Sequence, residues 1–252
     1  MVAWYDLLAR LDKRGEVLFM NHGYAPDIGE HECRHIPPDL EQFRYPIQLY
    51  DLVAQKVNWS GKDALEVSSG LGGGSIWLHR TYSPKSLTGL DMAATAVRKC
   101  RERYGGLAIN FEVGDAQAMP FQNESFDIVI NIESSLNYPD VSSFFNEVTR
   151  VLRPGGCFLF TDYRSPSHMR HLRSLLSQLP FDTIMDEDVT AGILRALVNE
   201  EARKRSLIDR IAPRLLRGTL TRFAGLGIDS SSEYAKFAAG KRTYLAAVYR
   251  KT

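Results

Sequence analysis

The chain has 252 residues, 44% of them hydrophobic and 24% charged, enough for one generous domain or a domain with an elaborated cap. With 31 basic against 30 acidic residues the net charge is +1. The basic excess that nucleic-acid binders use to neutralise phosphates is absent, so a small-molecule partner is expected.

Cys33, Cys100 and Cys157 are scattered, odd in number and without a CxxC pair, which argues against a disulfide framework or a thiolate zinc site. Met1-Val2-Ala3-Trp4-Tyr5-Asp6 reaches charge too soon for a signal peptide. No stretch approaches the roughly 20 apolar residues of a membrane span, and a cytoplasmic location is expected. The first 45 or so residues mix Gly, Pro and charge, and Pro37-Pro38 rules out a long helix there. Gln48 to Val57 carries Leu49, Leu52, Val53 and Val57 at helical spacing and stops at Asn58-Trp59-Ser60-Gly61.

From Asp63 strands and helices alternate. Ala64 to Ser68 reads as a buried strand, Gly70, Gly72, Gly73 and Gly74 as a turn, and Ser75 to Arg80 as a helix. Strands follow at Ser86 to Asp91, Ala108 to Val113, Phe126 to Ile132 and Cys157 to Thr161, with helices at Ala93 to Tyr104 and Val141 to Leu152. Phe126 to Ile132 is apolar on both faces, as parallel strands covered by helices are. Arg153-Pro154-Gly155-Gly156 reverses the chain into the fifth strand. His168 to Gly227 is mainly helical, with a possible strand at Phe181 to Met185, and Thr243 to Tyr249 is a last strand able to close a sheet edge.

This alternation predicts an α/β fold: a doubly wound, mostly parallel seven-strand sheet with a helical cap. The expected divisions are an N-terminal helical lid over 1–58, an α/β core over 59–166, a helical cap over 167–228, and a C-terminal helix and edge strand over 229–252.

Glu66-Val67-Ser68-Ser69-Gly70-Leu71-Gly72-Gly73-Gly74-Ser75 places glycines between a strand and a helix, where backbone can approach a ligand closely. Asp91 ends the next strand about 20 residues on, where an acid accepts from ribose hydroxyls. Gly114-Asp115-Ala116 closes the third strand, and Asn131-Ile132-Glu133 the fourth. All these groups lie at carboxyl ends of strands, where open α/β sheets bind ligands.

In this order, the residues resemble the class I S-adenosylmethionine-dependent methyltransferases over approximately residues 60 to 165. The resemblance implies S-adenosyl-L-methionine as cofactor. Glu66, Gly70 and Gly72 would then serve its methionyl part, Asp91 its ribose, and Asp115 with Ala116 its adenine. Ser68, where the family usually has Gly, together with Met92 and Asn131 completes the loop and strand-end candidates.

Val17-Leu18-Phe19-Met20-Asn21-His22-Gly23-Tyr24, Gln48-Leu49-Tyr50, Ile132-Glu133-Ser134-Ser135 with Tyr138-Pro139, and Asp162-Tyr163-Arg164 look like the phthiotriolone/phenolphthiotriolone dimycocerosates methyltransferases and related fatty-acid and natural-product O-methyltransferases. The likeness extends to Ser232-Glu233-Tyr234 and Tyr244. Tyr24 and Tyr50 match places where such relatives line the cofactor pocket. Transfer to an oxygen of a lipid-like or polyketide-like acceptor is implied.

Those relatives often place His after the Glu-Ser-Ser-like segment, whereas Leu136-Asn137 stands here. A hydroxyl acceptor needs a base, so Asp162 and Glu133 become the catalytic candidates, with His22 and His168 behind them. A carboxylate acceptor needs none, and Arg164 is the cation to hold it. Leu172, Leu175, Leu176, Leu179, Ile193, Leu194 and Leu197 are expected to give the cap an apolar face over the transferred methyl.

His31-Glu32-Cys33-Arg34-His35 matches the H-E-x-x-H zinc pattern, but Gly29 and Pro37-Pro38 leave little more than one helical turn for it. No metal is expected. His168 with His171, and Arg203-Lys204-Arg205, read as solvated helix faces. An NAD(P)-dependent Rossmann oxidoreductase and a non-catalytic cofactor-binding protein are the two readings from other classes.

Overall fold

The computed structural model describes residues 11–12, 15–27, 36–223, 226 and 232–252. The His31–His35 motif and Cys33 lie outside them.

Seven strands form one sheet: β1 (Asp63–Val67), β2 (Ser86–Asp91), β3 (Ile109–Val113), β4 (Phe126–Ile132), β5 (Leu152–Arg164), β6 (Phe181–Asp188) and β7 (Thr243–Lys251). Their spatial order is β3-β2-β1-β4-β5-β7-β6. The first five are parallel, while β7 runs antiparallel to both β5 and β6. The expected C-terminal edge strand is therefore corrected. β7 is inserted between β5 and β6, and β6 forms the edge.

Alternation along the strands builds two cores. Ala64, Ile128 and Ile130 face one side, packing with α1 (Arg44–Ala54), α2 (Gly73–Tyr82) and α6 (Thr190–Ile211). Leu65, Val67 and Val129 face the other, against α4 (Val141–Val151) and α5 (Pro166–Leu176). α3 (Ala94–Tyr104) joins the first layer through Val97 and Cys100. α4 starts where Asp140 accepts from the Ser142 and Ser143 amides, a side-chain N-cap. Pro166 opens α5 behind the Ser165 cap.

Two further expectations change. The described N-terminal residues 15–27 are not helical; they form an extended strap across the ends of β1 and β4. Residues 167–228 are not one cap. Met169, Leu172 and Leu176 of α5 pack on the sheet's far face and β6 joins the sheet. Among the described residues of this segment, α6 and α7 (Arg217–Phe223) remain as a cover, with Ile208, Leu220 and Met20 in one apolar cluster. No helix among the described residues is long and apolar enough to cross a membrane.

Candidate active site

The carboxyl ends of β1, β2, β3 and β4 surround a cavity of about 390 Å³. Ser68 to Leu71 form its floor, Leu90 to Ala93 one side, and Gly114 to Gln117 the next. Ile132 to Ser134 with Asn137 to Pro139 close the third side, and the strap residues Leu18 to Asn21 lie across the top with Tyr50.

The glycine loop makes this geometry possible at two points. Gly72 has φ 81° and starts α2, and a Cβ there would meet the Tyr104 ring at 2.8 Å. At Gly73 a Cβ would collide with the Leu18 carbonyl, so only glycine lets the strap lie this close. Gly72 thus shapes the loop from behind the wall.

Asp91 ties loop to strand. One carboxylate oxygen accepts from the Gly70 amide at 2.8 Å and the other from the Ala93 amide at 2.8 Å. It still lies on the cavity wall, half-buried, beside the 48% exposed Met92. Asp115 and Ala116 are on the wall as well, Asp115 holding the Gln117 amide at 2.8 Å.

Glu66 sits one layer behind. It accepts the Tyr50 hydroxyl at 2.7 Å and the Ser75 hydroxyl, and burial pushes its carboxyl up to about 7. Asn131 is also behind the wall, fully buried, its amide donating to the Val67 carbonyl, Ser134 and Tyr138. Tyr24 is not on the wall; its ring packs over Gly192 of α6.

Ser68 adopts φ 61°, the left-handed conformation that a glycine would take without strain. Its hydroxyl meets the Tyr138 hydroxyl at 2.7 Å. Burial pushes Tyr138 up to about 12, so it stays protonated. Tyr138, Ser69 and the strap residue Met20 are wall residues that the sequence motifs contained without giving them a role of their own. The strap has no helical or strand periodicity, and periodicity around Tyr138 does not say that its side chain faces a cavity.

The catalytic candidates separate. Asp162 is completely buried and off the wall. Its oxygens accept Ser135 Oγ at 2.5 Å, the Leu136 amide at 3.0 Å and the Tyr163 amide at 2.8 Å, and it pairs with Arg164 at 2.9 Å. Burial raises its pKa, against the Arg164 charge and these donors. The Arg164 guanidinium is closed on Asp162, Ser135 Oγ and the Tyr163 carbonyl. Both are engaged by neighbouring groups of the chain and lie off the cavity wall. Glu133 is on the wall. His168 and His171 are exposed on α5, with His168 Nδ1 bonded to Ser165.

Whether the cavity suits S-adenosylmethionine is tested by unsatisfied groups. Ser69 Oγ and Asn21 Oδ1 are buried on the wall with no hydrogen-bond partner among the described residues. Buried polar atoms ordinarily have partners, so these two fit a polar ligand. The acid beside Met92 and the left-handed loop fit the same group.

Comparison with known proteins agrees. Residues 65–160 match the family described as Methyltransferase domain. The chain is 36% identical over 237 residues to the phthiotriol/phenolphthiotriol dimycocerosates methyltransferase of Mycobacterium tuberculosis, covering 92% of this chain and 85% of that protein. It is 36% identical over 226 residues to the fatty-acid O-methyltransferase of Mycolicibacterium smegmatis, covering 87% and 79%. Among solved structures, geranyl diphosphate C-methyltransferase from Streptomyces coelicolor A3(2), in complex with Mg2+, geranyl diphosphate and S-adenosyl-L-homocysteine, has the same fold. Its TM-score is 0.71 at 15% identity, over 100% of this chain and 96% of that one.

Proposed function

The chain belongs to the S-adenosylmethionine-dependent methyltransferases, and from that premise we propose that it methylates an oxygen of a lipid-like, largely apolar acceptor. The observation that carries this reading is the likeness over 92% of the chain to an enzyme named for phthiotriol dimycocerosates. It extends well beyond the segment that matches the methyltransferase domain, residues 65–160.

The residues offered for the cofactor are Asp91 with Met92, the loop Ser68 to Leu71, Asp115 with Ala116, and Tyr50 backed by Glu66. When bound, S-adenosylmethionine supplies a methyl group on positively charged sulfur, an electrophile open to direct displacement. The strap lies across the top of the loop, and the backbone-held Asp91 gives a preorganised anchor, so alignment is the main contribution of this side.

Carboxyl methylation is the second reading, favoured by the relative named a fatty-acid O-methyltransferase. With Arg164 closed on Asp162, one cation next to the strap is Lys204, whose Nζ reaches the carbonyl of the wall residue Asn21 at 3.4 Å. Incubating the protein with methyl-labelled S-adenosylmethionine, oleyl alcohol and oleic acid, then extracting into organic solvent, separates the readings. Label in a methyl ether supports hydroxyl transfer, and label in a methyl ester supports the second reading. Transfer to polar acceptors alone sinks both.

A further inference from the structure

We propose that Asn21 is the strap's hold on the cofactor, its side-chain oxygen accepting a hydrogen bond from the α-ammonium of S-adenosylmethionine; this rests on the cofactor placement given above. Asn21 is a wall residue of the cavity, only 8% exposed, and the two ends of its amide are treated differently. Nδ2 donates to the Pro46 carbonyl, in the first turn of α1, at 3.3 Å. Oδ1 has no partner among the described residues. Turning the amide over would set its oxygen against the Pro46 carbonyl, acceptor to acceptor. The Pro46 contact therefore fixes which end is which.

A buried acceptor without a donor bears the whole cost of its lost hydration, and such groups are scarce in folded proteins. The backbone oxygen of Asn21 has Lys204 Nζ at 3.4 Å, so it is the side-chain oxygen that is left over. A donor arriving from the cavity completes it.

The path of the strap says which donor that is. In the sheet, β3, β2, β1 and β4 are neighbours in that order. Asp115 follows β3 and Asp91 ends β2, the places offered to adenine and ribose. The strap passes over the loop after β1, where a Cβ on Gly70 would meet Met20 Cε at 2.8 Å. Two residues on, the His22 amide is held by Glu133, just past β4, at 2.8 Å. Asn21 stands between these two contacts, on the β1–β4 side of the cavity and away from Asp115. A cofactor with adenine beside β3 and ribose beside β2 brings its amino-acid end to this side.

That end carries a carboxylate and an ammonium. The carboxylate only accepts and would repel Oδ1, whereas the ammonium has N–H donors and no lone pair. The carboxylates nearby are already engaged. Glu66, behind the wall, accepts the Tyr50 and Ser75 hydroxyls, and one Glu133 oxygen accepts the His22 amide and the Tyr244 hydroxyl. A bond from a cation to the Asn21 oxygen is charge-assisted, the stronger kind. Because Asn21 belongs to the strap, the same bond fastens Leu18 to Met20, which lie across the top of the cavity, onto the bound cofactor.

The test is a binding cycle read by titration calorimetry, without turnover. Wild type and Asn21→Leu each meet two ligands: S-adenosylhomocysteine, and the analogue that lacks only its amino group, 5′-S-(3-carboxypropyl)thioadenosine. The wild type should bind S-adenosylhomocysteine about 10-fold or more tighter than the analogue. In Asn21→Leu that gap should close to about threefold or less, because the ammonium has lost its partner. A variant that merely disturbs the fold weakens both ligands and keeps the gap, and an unchanged gap overturns the proposal. So does a wild type that binds the two ligands equally. Should Asn21→Leu fail to fold, Asn21→Asp takes its place: a carboxylate facing the ammonium should widen the gap, and a narrower gap overturns the proposal. Asp91→Ala tests the placement separately, since both ligands carry the ribose and should weaken alike. If neither weakens, the placement has failed by itself, and the gap in the Asn21 variants still decides for or against Asn21.

Discussion

Asp91 and Asp162 make the same signal in the sequence: an acid at the carboxyl end of a parallel strand, beside the place where such sheets bind ligands. The fold treats them oppositely. Asp91 accepts two backbone amides, from Gly70 and Ala93, and remains on the cavity wall. Asp162 is consumed, with two backbone amides, a serine hydroxyl and a guanidinium around a fully buried carboxylate. Position at a strand end therefore gives an acid its neighbourhood, and the loops from other strands decide whether it is available. Here the loop after β4 covers β5 and leaves β2 open.

The sharpest way to break this contrast is Asp162→Asn. Each Asp162 oxygen accepts a backbone amide, from Leu136 on one side and Tyr163 on the other. In either orientation an asparagine NH2 would face one of those donors, and Arg164 would lose its charge partner. Removing one member of a buried pair costs about 3–5 kcal/mol. Thermal unfolding should drop by roughly 10 °C. The folded fraction should bind S-adenosylhomocysteine with affinity within threefold of wild type. A stable Asp162→Asn protein with abolished turnover would show that Asp162 works in the reaction and not in the scaffold.

Asp91→Ala should do the reverse. The fold should survive, since the loop keeps the Ser69 amide to Leu90 carbonyl bond at 3.0 Å and the Gly72 amide to Ser69 carbonyl bond at 3.0 Å. Cofactor binding should weaken by about 1–3 kcal/mol, roughly 5- to 150-fold, as ligand hydroxyls lose a charged acceptor. Titration calorimetry with S-adenosylhomocysteine reads this directly. Unchanged affinity would mean that the ribose is held elsewhere.

The contrast also marks what the sequence made legible. β1 to β5 were readable because each is an apolar run between helices of regular spacing, and the glycine loop because only glycine permits Gly72 and Gly73 their approaches. The order β5-β7-β6 was not, since it depends on pairings such as Leu159 with Val248 and Met185 with Val248, which no local pattern encodes. Leu172 and Leu176 carry the helical spacing that a cap would need, yet they pack beneath the sheet. Periodicity says that a face is apolar; it does not say which surface the face will meet. The surroundings of Asp162 were not legible for the same reason. The groups that occupy it, Ser135 and Leu136, arrive from a loop 27 and 26 residues earlier.

The smallest expected effect lies at the junction of the two regions, where Ser68 of the glycine loop meets Tyr138 of the loop after β4. Ser68→Gly has three consequences of similar size. It relieves a left-handed conformation worth about 1 kcal/mol. It adds conformational freedom to the unfolded chain, costing about 0.4–1 kcal/mol. It also deletes one hydrogen bond, costing about 1 kcal/mol. They leave a net loss of about 0.4–1 kcal/mol in stability. Tyr138 keeps its contacts with Ser134 and Asn131, so cofactor affinity should stay within threefold. Ser68→Ala keeps the strain and still loses the bond, so it should be the less stable of the two by several tenths of a kcal/mol. Chemical denaturation of the pair measures the strain by difference. If Ser68→Gly instead loses cofactor affinity by more than tenfold, the hydroxyl bridge to Tyr138 is what aligns the two halves of the cavity, and the left-handed serine is kept for that contact.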